Sequence, residues 1–392
     1  MTIRQSAPGK KELSWRSQVF RGYLYQAIAV GLIALLLWFL VSNTLSNMRV
    51  RGIQSGFDFL TQTAGFDIGE SLFEFDSGEP YWRAFLVGLV NTLRVAVLGI
   101  VLTTLLGTLL GIGRFSRNAL VRGLCWAYVE FFRNIPVLLQ LLMCYLLFTE
   151  ILPPADAAWQ LGSVFLSKGG FNFPIPIWSQ GHLGLVLGLF AGALAAWFYR
   201  RWAKDRFERT GQHPSVFLLP LLIVLAACVL GWLLGGAPSA LDSPRKGEFA
   251  IEQGGALTPE FLSVLLGLSA YTAAFVAEVV RAGIQSVALG QSEAAAALGL
   301  NQRQSMRLVL LPQALRVIIP PMTNQYLNLT KNSSLAVAIG YPDVVSIANT
   351  ALNQTGRAVE CIAIVMLVYL TTSLATSLLM SWYNAKAAIA ER

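Results

Sequence analysis

The stretch Glu293-Ala294-Ala295-Ala296-Ala297-Leu298-Gly299, followed by Val309-Leu310-Leu311-Pro312, decides how the fold of this chain is interpreted. It predicts a short helix, a glycine break and a second short helix between two long apolar segments. Ser292 is placed to cap the first helix, and Gly299 to end it in the left-handed conformation. Asn301 can cap the second helix, with Gln304 at its third position as in a capping box. So ordered a connection between apolar segments indicates a surface on which another protein docks.

The composition is that of a polytopic membrane protein. Of the 392 residues, 55% are hydrophobic and 13% are charged, whereas soluble domains carry about 25% charged residues. Eight apolar segments are long enough to cross a hydrocarbon core of about 30 Å. These segments are residues 23–42, 84–113, 123–149, 183–199, 215–236, 260–282, 314–339 and 358–382. The predicted fold class is therefore all-α, with about eight transmembrane helices.

Positive charge is distributed unevenly between the segments that connect these spans. With the N-terminus placed inside, the inner segments carry 19 Lys and Arg residues and the outer segments carry 7. Because Lys and Arg concentrate in cytoplasmic segments, this asymmetry predicts cytoplasmic N- and C-termini and a cytoplasmic location for Glu293–Pro312. The net charge of +8 then reflects orientation in the lipid bilayer, and we expect no nucleic acid as a partner.

Further motifs surround the central stretch. They are Arg133–Gln140, Tyr271–Ser286, Gly290–Ala295, Leu311–Ala314 and Lys331–Leu335. With the spacing E-A-A-x3-G-x9-V-x-L-P, these motifs resemble those of permeases of ATP-binding-cassette (ABC) importers of the polar amino acid family. The chain is most similar to the Q-type membrane subunit of bacterial general L-amino-acid importers. Two positions depart from the family pattern, since Val309 replaces isoleucine and Asn134 replaces glycine.

The resemblance implies a type I ABC importer transmembrane fold with a five-helix core, to which an N-terminal helix and an inserted helical hairpin are added. Residues 1–83 would form the N-terminal tail, the first transmembrane helix and an acidic periplasmic loop. Residues 84–383 would form the permease domain, with the inserted hairpin at about 183–236, and residues 384–392 a cytoplasmic tail. The location implied is the bacterial inner membrane.

The same resemblance implies partners and a division of labour. A second permease, different or identical, would share the translocation path, and two cytoplasmic ATP-binding subunits would drive it. A periplasmic amino-acid-binding protein would deliver the substrate. The chain lacks the Walker A pattern, so ATP and Mg²⁺ would be bound by the ATPase subunits. We expect no catalytic residue, cofactor or metal site in the chain itself.

In this family the central stretch seats in a groove of the ATPase and couples it to the membrane segments. The residues that the resemblance assigns to this coupling loop are Gly290, Glu293, Ala294, Ala295, Gly299, Leu311 and Pro312.

Polar residues inside the seventh span are candidates for the substrate path. A charge at mid-bilayer costs about 2.5–3.5 kcal/mol on insertion scales, so it normally faces protein or water. Asn324, Asn328 and Lys331 share one helical face, directly after Pro320-Pro321. The two prolines should kink or unwind this span because they lack backbone donors.

A zwitterionic substrate needs a cationic and an anionic partner. Lys331 or Arg94 is placed to bind a carboxylate, and Glu278, expected opposite Lys331, to bind an ammonium group. Two alternatives stay open at this point. Glu278 can instead pair with Arg281 one turn further on, and Lys331 can tie a helix end to a neighbour.

Other functions are weighed against this interpretation. The chain can be the permease of an ABC importer for another small polar solute. A secondary amino acid transporter is less favoured because no inverted repeat is visible. A membrane enzyme would need a cluster of catalytic or metal-binding side chains, and the chain has only two histidines.

Overall fold

The computed structural model of the chain describes residues 18–50, 52, 55–179, 181–211, 215, 217–247 and 250–387. Helices dominate this described part. Their bounds are α1 (Gln18–Val50), α2 (Tyr81–Gly113), α3 (Ala119–Asn134), α4 (Val137–Leu146), α5 (Gly181–Thr210), α6 (Leu218–Leu234), α7 (Pro259–Gln285), α8 (Leu289–Ala297), α9 (Gln302–Ser305), α10 (Leu311–Asn332), α11 (Val344–Thr355) and α12 (Ala358–Ala387).

Five of the described helices, α1, α2, α5, α7 and α12, are long and apolar enough to cross a membrane. Two further candidate spans consist of two helical pieces each: α3 with α4, which meet at 107°, and residues 302–339 with α11. The remaining apolar helix, α6, has 17 residues. These elements account for the eight predicted segments and confirm the class of a largely helical membrane protein.

The bend between α3 and α4 has a local cause. Ile135 has an extended backbone, with φ −105° and ψ 133°, and Pro136 precedes the first residue of α4. A residue before proline is driven out of the helical region by the proline ring. The apolar segment predicted over residues 123–149 is therefore built from two helices, α3 and α4, that meet at a bend.

The chain divides into two compact units. The first comprises Val344–Thr372 and the chain up to Val90, and its core contains Phe59, Tyr81 and Phe85. The loop before α2 is tied down by Arg357, which donates to the Gly56 carbonyl at 3.0 Å. Arg357 also pairs with Asp58 at 3.0 Å. The acidic loop is thus an ordered structure that an internal arginine holds in place.

The second unit comprises Asn91–Asp343 together with Ser373 and the residues after it, and α7 lies at its centre. Glycines let neighbouring helices approach α7 closely. A Cβ atom at Gly107 of α2 would lie 2.6 Å from the Val276 side chain, and one at Gly283 of α7 would lie 2.2 Å from Ile318 of α10. Small residues at such contacts are the usual means of close helix packing in membranes.

Short strands in the second unit flank the α5–α6 hairpin, and the sequence analysis did not predict them. Their bounds are β1 (Trp159–Leu161), β2 (Val164–Ser167), β3 (Gly170–Phe173), β4 (Ile175–Pro176), β5 (Leu241–Asp242), β6 (Arg245–Lys246), β7 (Ile251–Glu252) and β8 (Gly255–Leu257). One antiparallel sheet has the order β1-β2-β3-β8, and β4 pairs with β5 and β6 with β7. The strands before and after the hairpin therefore pair with each other across it.

Candidate coupling loop and substrate path

The loop after α7 contains the predicted glycine break, but its first helix begins earlier than predicted. Its second helix, α9, continues through a π-helical turn (Met306–Leu310) directly into α10. Ala288 has an extended backbone and precedes α8, whose first residue is Leu289. Ser292 is therefore the fourth residue of α8, and its hydroxyl donates to the Leu289 carbonyl at 2.6 Å. The prediction that Ser292 caps this helix is wrong, because the chain turns out of α7 within three residues and leaves Ser292 inside α8.

The break between α8 and α9 agrees with the prediction. Gly299 has φ +75°, the left-handed conformation expected there. Its amide donates to Ala296, and the Leu300 amide donates to Ala295, so the helix ends in a Schellman motif. Asn301 forms a capping box with Gln304 at the start of α9. Both devices are local, which explains why spacing alone could identify them.

The loop exposes apolar side chains. Leu289 is 81% exposed and Leu298 is 80% exposed, and they lie at the two ends of α8. Glu293 and Ala294 between them are exposed, whereas Ala295 is buried at 2%. Both leucines are therefore accessible for contact with another protein.

A direct contact joins this loop to the next membrane helix. The Gln313 side chain donates to the Gln291 side chain at 3.0 Å. Gln313 follows Leu311 and Pro312, at the point where the π-helical turn Met306–Leu310 passes into α10. The hydrogen bond therefore ties α8 to the beginning of α10.

The candidate path residues lie on the far part of α10. Asn324, Asn328 and Lys331 are all exposed, whereas Met322 and Leu329 on other faces are buried. The second unit thus leaves one polar stripe of this helix uncovered by its own side chains. The helix runs through Pro320 and Pro321 without interruption, so the prolines do not unwind it, and the predicted kink stays a prediction.

A cavity of about 390 Å³ lies beside this stripe, between α7 and α10. It is lined by Tyr271, Thr272, Phe275, Gln325, Asn328 and Asn332. The Thr272 hydroxyl oxygen is buried and has no hydrogen-bond partner within the described part of the chain. Five of the six lining side chains carry a hydroxyl or amide group, and none of the six is charged. The cavity therefore suits a small polar ligand. The sequence analysis did not assign Gln325, Asn332 or Thr272 to the substrate path.

Glu278 lies in an arginine cluster instead of beside Lys331. Its carboxylate accepts from Arg281 and from Arg114 at 2.6 Å, and Arg133 approaches it to 4.0 Å. The sequence analysis considered two partners for Glu278, a substrate ammonium group and Arg281. The structure shows the pairing with Arg281. Arg114, at the end of α2, is a partner that local spacing did not reveal.

The antiparallel course of α7 and α10 explains why Lys331 and Glu278 are apart. Gly283 of α7 meets Ile318 of α10, and Phe275 shares the cavity with Asn328. Glu278 is therefore level with about residue 324 of α10, and Lys331 lies roughly 10 Å further along the axis at 1.5 Å per residue. The prediction that these two residues face each other is wrong.

Arg94 lies near the opposite end of α7 from Glu278. Its guanidinium carbon is 4.0 Å from the centroid of the Phe261 ring, two residues after the start of α7. Arg94 and Lys331 are thus both displaced from Glu278 towards the start of α7. Of the five predicted path residues, the structure groups Asn324, Asn328 and Lys331 on one helix face and leaves Glu278 and Arg94 outside it.

Comparisons with known proteins decide the family. A sequence profile described as "Binding-protein-dependent transport system inner membrane component" matches residues 184–388. The chain belongs to this family. The permease is 45% identical to the "General L-amino acid transport system permease protein AapQ" of Rhizobium johnstonii, covering 95% of this chain and 94% of that protein. It is 39% identical to the "Glutamate/glutamine/aspartate/asparagine transport system permease protein BztB" of Rhodobacter capsulatus, covering 94% and 95%. The family resemblance of the sequence motifs is confirmed: the chain is the permease subunit of an ABC importer.

Proposed function

We propose that this permease imports general polar L-amino acids from the periplasm by alternating access. The observation that carries the proposal is the arrangement of α10, which begins at the loop around α8 and ends in an exposed polar stripe beside a cavity lined by hydroxyl and amide groups. One continuous helix thereby connects a docking surface with a ligand-sized polar site. The similarity to AapQ and BztB, both named for amino acid transport, supports the substrate class.

In this proposal the substrate carboxylate binds Lys331 and the ammonium group binds neutral acceptors. Lys331 is exposed at the end of the stripe, where a carboxylate can reach it. Amide oxygens of Gln325 and Asn328 line the adjoining cavity and can accept from an ammonium group. Glu278 takes no part, because three arginines already surround its carboxylate.

The energy for import comes from partner subunits. Two cytoplasmic ATPases, which bind ATP and Mg²⁺, dock on Leu289, Leu298 and the exposed residues between them. Their closure moves α8 and, through Gln291 and Gln313, the start of α10. Direction then follows from the different affinities of each partner for the inward-facing and outward-facing states.

The exposed stripe of α10 also calls for a second permease. Asn324, Asn328 and Lys331 cannot face lipid without a large cost. A second permease subunit, homologous or identical, would cover them and enclose a water-filled path between the two copies. A periplasmic amino-acid-binding protein would deliver the substrate to its outer end. The assembly would lie in the inner membrane with both chain termini in the cytoplasm.

Uptake by the reconstituted importer tests this function. The permease is co-purified with its native partner subunits, placed in liposomes with ATP inside, and given labelled glutamate, glutamine, arginine or leucine with the binding protein outside. We expect ATP-dependent accumulation of several amino acids. Accumulation of a polar solute that is not an amino acid, with no amino acid uptake, would overturn the substrate class. Uptake that persists without ATP and the ATPase subunits would overturn the ABC mechanism.

A further inference from the structure

The inserted hairpin of α5 and α6 is closely packed over most of its length. A Cβ atom at Gly184 would lie 2.3 Å from the Gly231 carbonyl oxygen, and one at Gly188 would lie 2.4 Å from the Ala227 carbonyl oxygen. At Gly192 the α6 backbone is still within 2.9 Å of such an atom, at Val224. Helices in contact through backbone atoms leave no room for another molecule between them.

Directly beyond Gly192 this close contact ends at a cavity of about 420 Å³. Its lining residues are Ala193, Ala196, Trp197, Arg200, Phe217, Pro220, Leu221 and Val224. Only Trp197 and Arg200 among them carry polar side-chain atoms. The cavity is therefore an apolar slot between two membrane helices with an arginine on its wall.

The charge beside this slot belongs to the extended end of α5. Beyond the apolar part, α5 carries Arg200, Arg201, Lys204, Arg206 and Arg209 against Asp205 and Glu208. Arg200 and Lys204 are four residues apart and follow the cavity-lining positions Ala193, Ala196 and Trp197 along one helical face. Within the described residues Arg200 makes no hydrogen bond or ion pair, and Lys204 is 3.9 Å from Glu208 with its side chain 76% exposed.

The position of Trp197 sets the depth of the slot. Tryptophan at the end of an apolar helix marks the boundary between acyl chains and head groups. The slot begins on the acyl-chain side of this boundary. Arg200 lies one turn beyond Trp197, at head-group level. An ordered water needs two to four polar partners, which the aliphatic walls do not offer. An empty slot would lose dispersion contacts along its lining.

We propose that this slot binds one anionic phospholipid of the bilayer. An acyl chain fills the space between Ala193 and Val224, and the head-group phosphate binds the Arg200 guanidinium, with Lys204 one turn further on. Arginine binds phosphate through two parallel hydrogen bonds, and basic pockets between membrane helices favour acidic head groups. The lipid would complete the hairpin where its glycine contacts end and fix the basic end of α5 to one leaflet.

Lipid selectivity of the assembled importer tests this site. The complete complex is reconstituted into phosphatidylcholine vesicles that contain a small share of spin-labelled phosphatidylglycerol or, in parallel, spin-labelled phosphatidylcholine. Electron spin resonance gives the fraction of each probe that is immobilised on the protein. We expect the native complex to immobilise phosphatidylglycerol preferentially. The double variant Arg200→Gln/Lys204→Gln should weaken that preference at the site by roughly tenfold or more.

Two further variants separate the slot from surface charge in general. Arg206→Gln/Arg209→Gln removes the same charge from other faces of α5 and should retain the selectivity. Ala193→Phe keeps every cation but fills the slot, and it should also abolish the selectivity. An equal loss of phosphatidylglycerol selectivity in both double variants would mean that diffuse surface charge causes it, and would overturn the site. Equal immobilisation of both probes by the native complex would also overturn it. If Ala193→Phe does not fold, the two double variants decide the question alone. The lipid measurement does not require transport activity in any variant.

Discussion

The Gln313 side-chain amide donates a 3.0 Å hydrogen bond to the Gln291 side-chain oxygen and so joins α8 to the first turn of α10. The same helix α10 carries Asn324, Asn328 and Lys331 on its exposed face further along. The hydrogen bond at one end of α10 and the polar stripe further along it therefore belong to the same helix. In the proposed function, this contact passes the motion of an ATPase docked at α8 to α10.

The first prediction concerns this contact. Gln313→Ala should lower the amount of amino acid taken up per ATP hydrolysed, because α10 then follows α8 less closely. The net worth of one such hydrogen bond is about 0.5–1.5 kcal/mol, so the expected loss of coupling is at most about tenfold. The double variant Gln291→Ala/Gln313→Ala should be no worse than either single variant, as measured by uptake and ATPase assays in liposomes.

Gln302→Ala serves as its control, since Gln302 is an exposed glutamine of α9 in the same loop. It should leave the uptake per ATP near the native value. If it lowers coupling as much as Gln313→Ala, the loss reflects the docking surface as a whole and the bond itself carries no motion.

The second prediction concerns the left-handed turn at Gly299. No atom lies within 4 Å of a Cβ atom built there, so the cost of a side chain is conformational rather than steric. Gly299→Val should cost about 1–2 kcal/mol in the turn and uncouple ATP hydrolysis from uptake. Gly299→Asn should retain most coupling, because asparagine tolerates this conformation.

A matched control places the same backbone cost elsewhere. Gly211 at the end of α5 has φ +67° and equally open surroundings. Gly211→Val should therefore leave coupling intact. Cross-linking from a cysteine at position 298 to the ATPase reports whether the loop still docks, and native cross-linking in Gly299→Val would contradict the assigned cause.

Local chemistry made part of the loop predictable from the sequence. The predictions of a left-handed turn at Gly299 and of a capping box between Asn301 and Gln304 were correct, because a cap depends only on residues within one turn. Ser292 was assigned wrongly because the start of α8 depends on where α7 ends, which the extended backbone at Ala288 determines. The apolar spans were found for a related reason, since the bilayer acts on each segment separately.

Contacts between distant segments could not be predicted in the same way. Arg114 and Glu278 are 164 positions apart, and their pairing follows from the side-by-side packing of α2 and α7. The separation of Lys331 from Glu278 likewise depends on the antiparallel course of α7 and α10. The strands around the hairpin have two to four residues each, too few to give a periodic signal.

The third prediction concerns Lys331. Lys331→Met should preserve folding, assembly and basal ATPase activity while the half-saturating amino acid concentration rises by roughly tenfold or more. Lys331→Arg should restore much of the affinity because it retains the charge. Since Glu278 has its own arginine partners, the double variant Lys331→Met/Glu278→Gln should not recover transport. Recovery in that double variant would mean that the two residues act as a pair and that Lys331 is structural.

The fourth prediction concerns the Glu278 cluster. Glu278→Gln should lower the thermal stability of the permease, because Arg114 is left mostly buried beside a neutral amide, with its side chain 14% exposed. The expected cost lies between that of an exposed ion pair and a buried one, roughly 1–3 kcal/mol. Melting of the purified protein in detergent measures it.

A second substitution tests the cause. Arg114→Gln added to Glu278→Gln should recover part of the lost stability by removing the unpaired cation. Glu79→Gln is the matched control, because Glu79 pairs with Arg83 at a comparable 27% side-chain exposure in the other unit. An equal loss of stability in that control would show that any such ion pair gives the same effect.

The last prediction is that the inserted hairpin is peripheral to the substrate path. Its closely packed helices share no lining residue with the cavity between α7 and α10. The two ends of the hairpin lie next to each other, because a Cβ atom at Gly181 would lie 2.2 Å from the Gly235 carbonyl oxygen. Residues 181–235 can therefore be replaced by a short glycine linker without opening the pairing of β4 with β5. We expect this deletion to insert correctly and to retain the native substrate affinity and uptake per ATP. Gly184→Leu, which forces the two helices apart without removing them, should lower thermal stability and likewise retain the affinity. Loss of substrate binding in a deletion variant that still assembles with its partners would place the hairpin in the path.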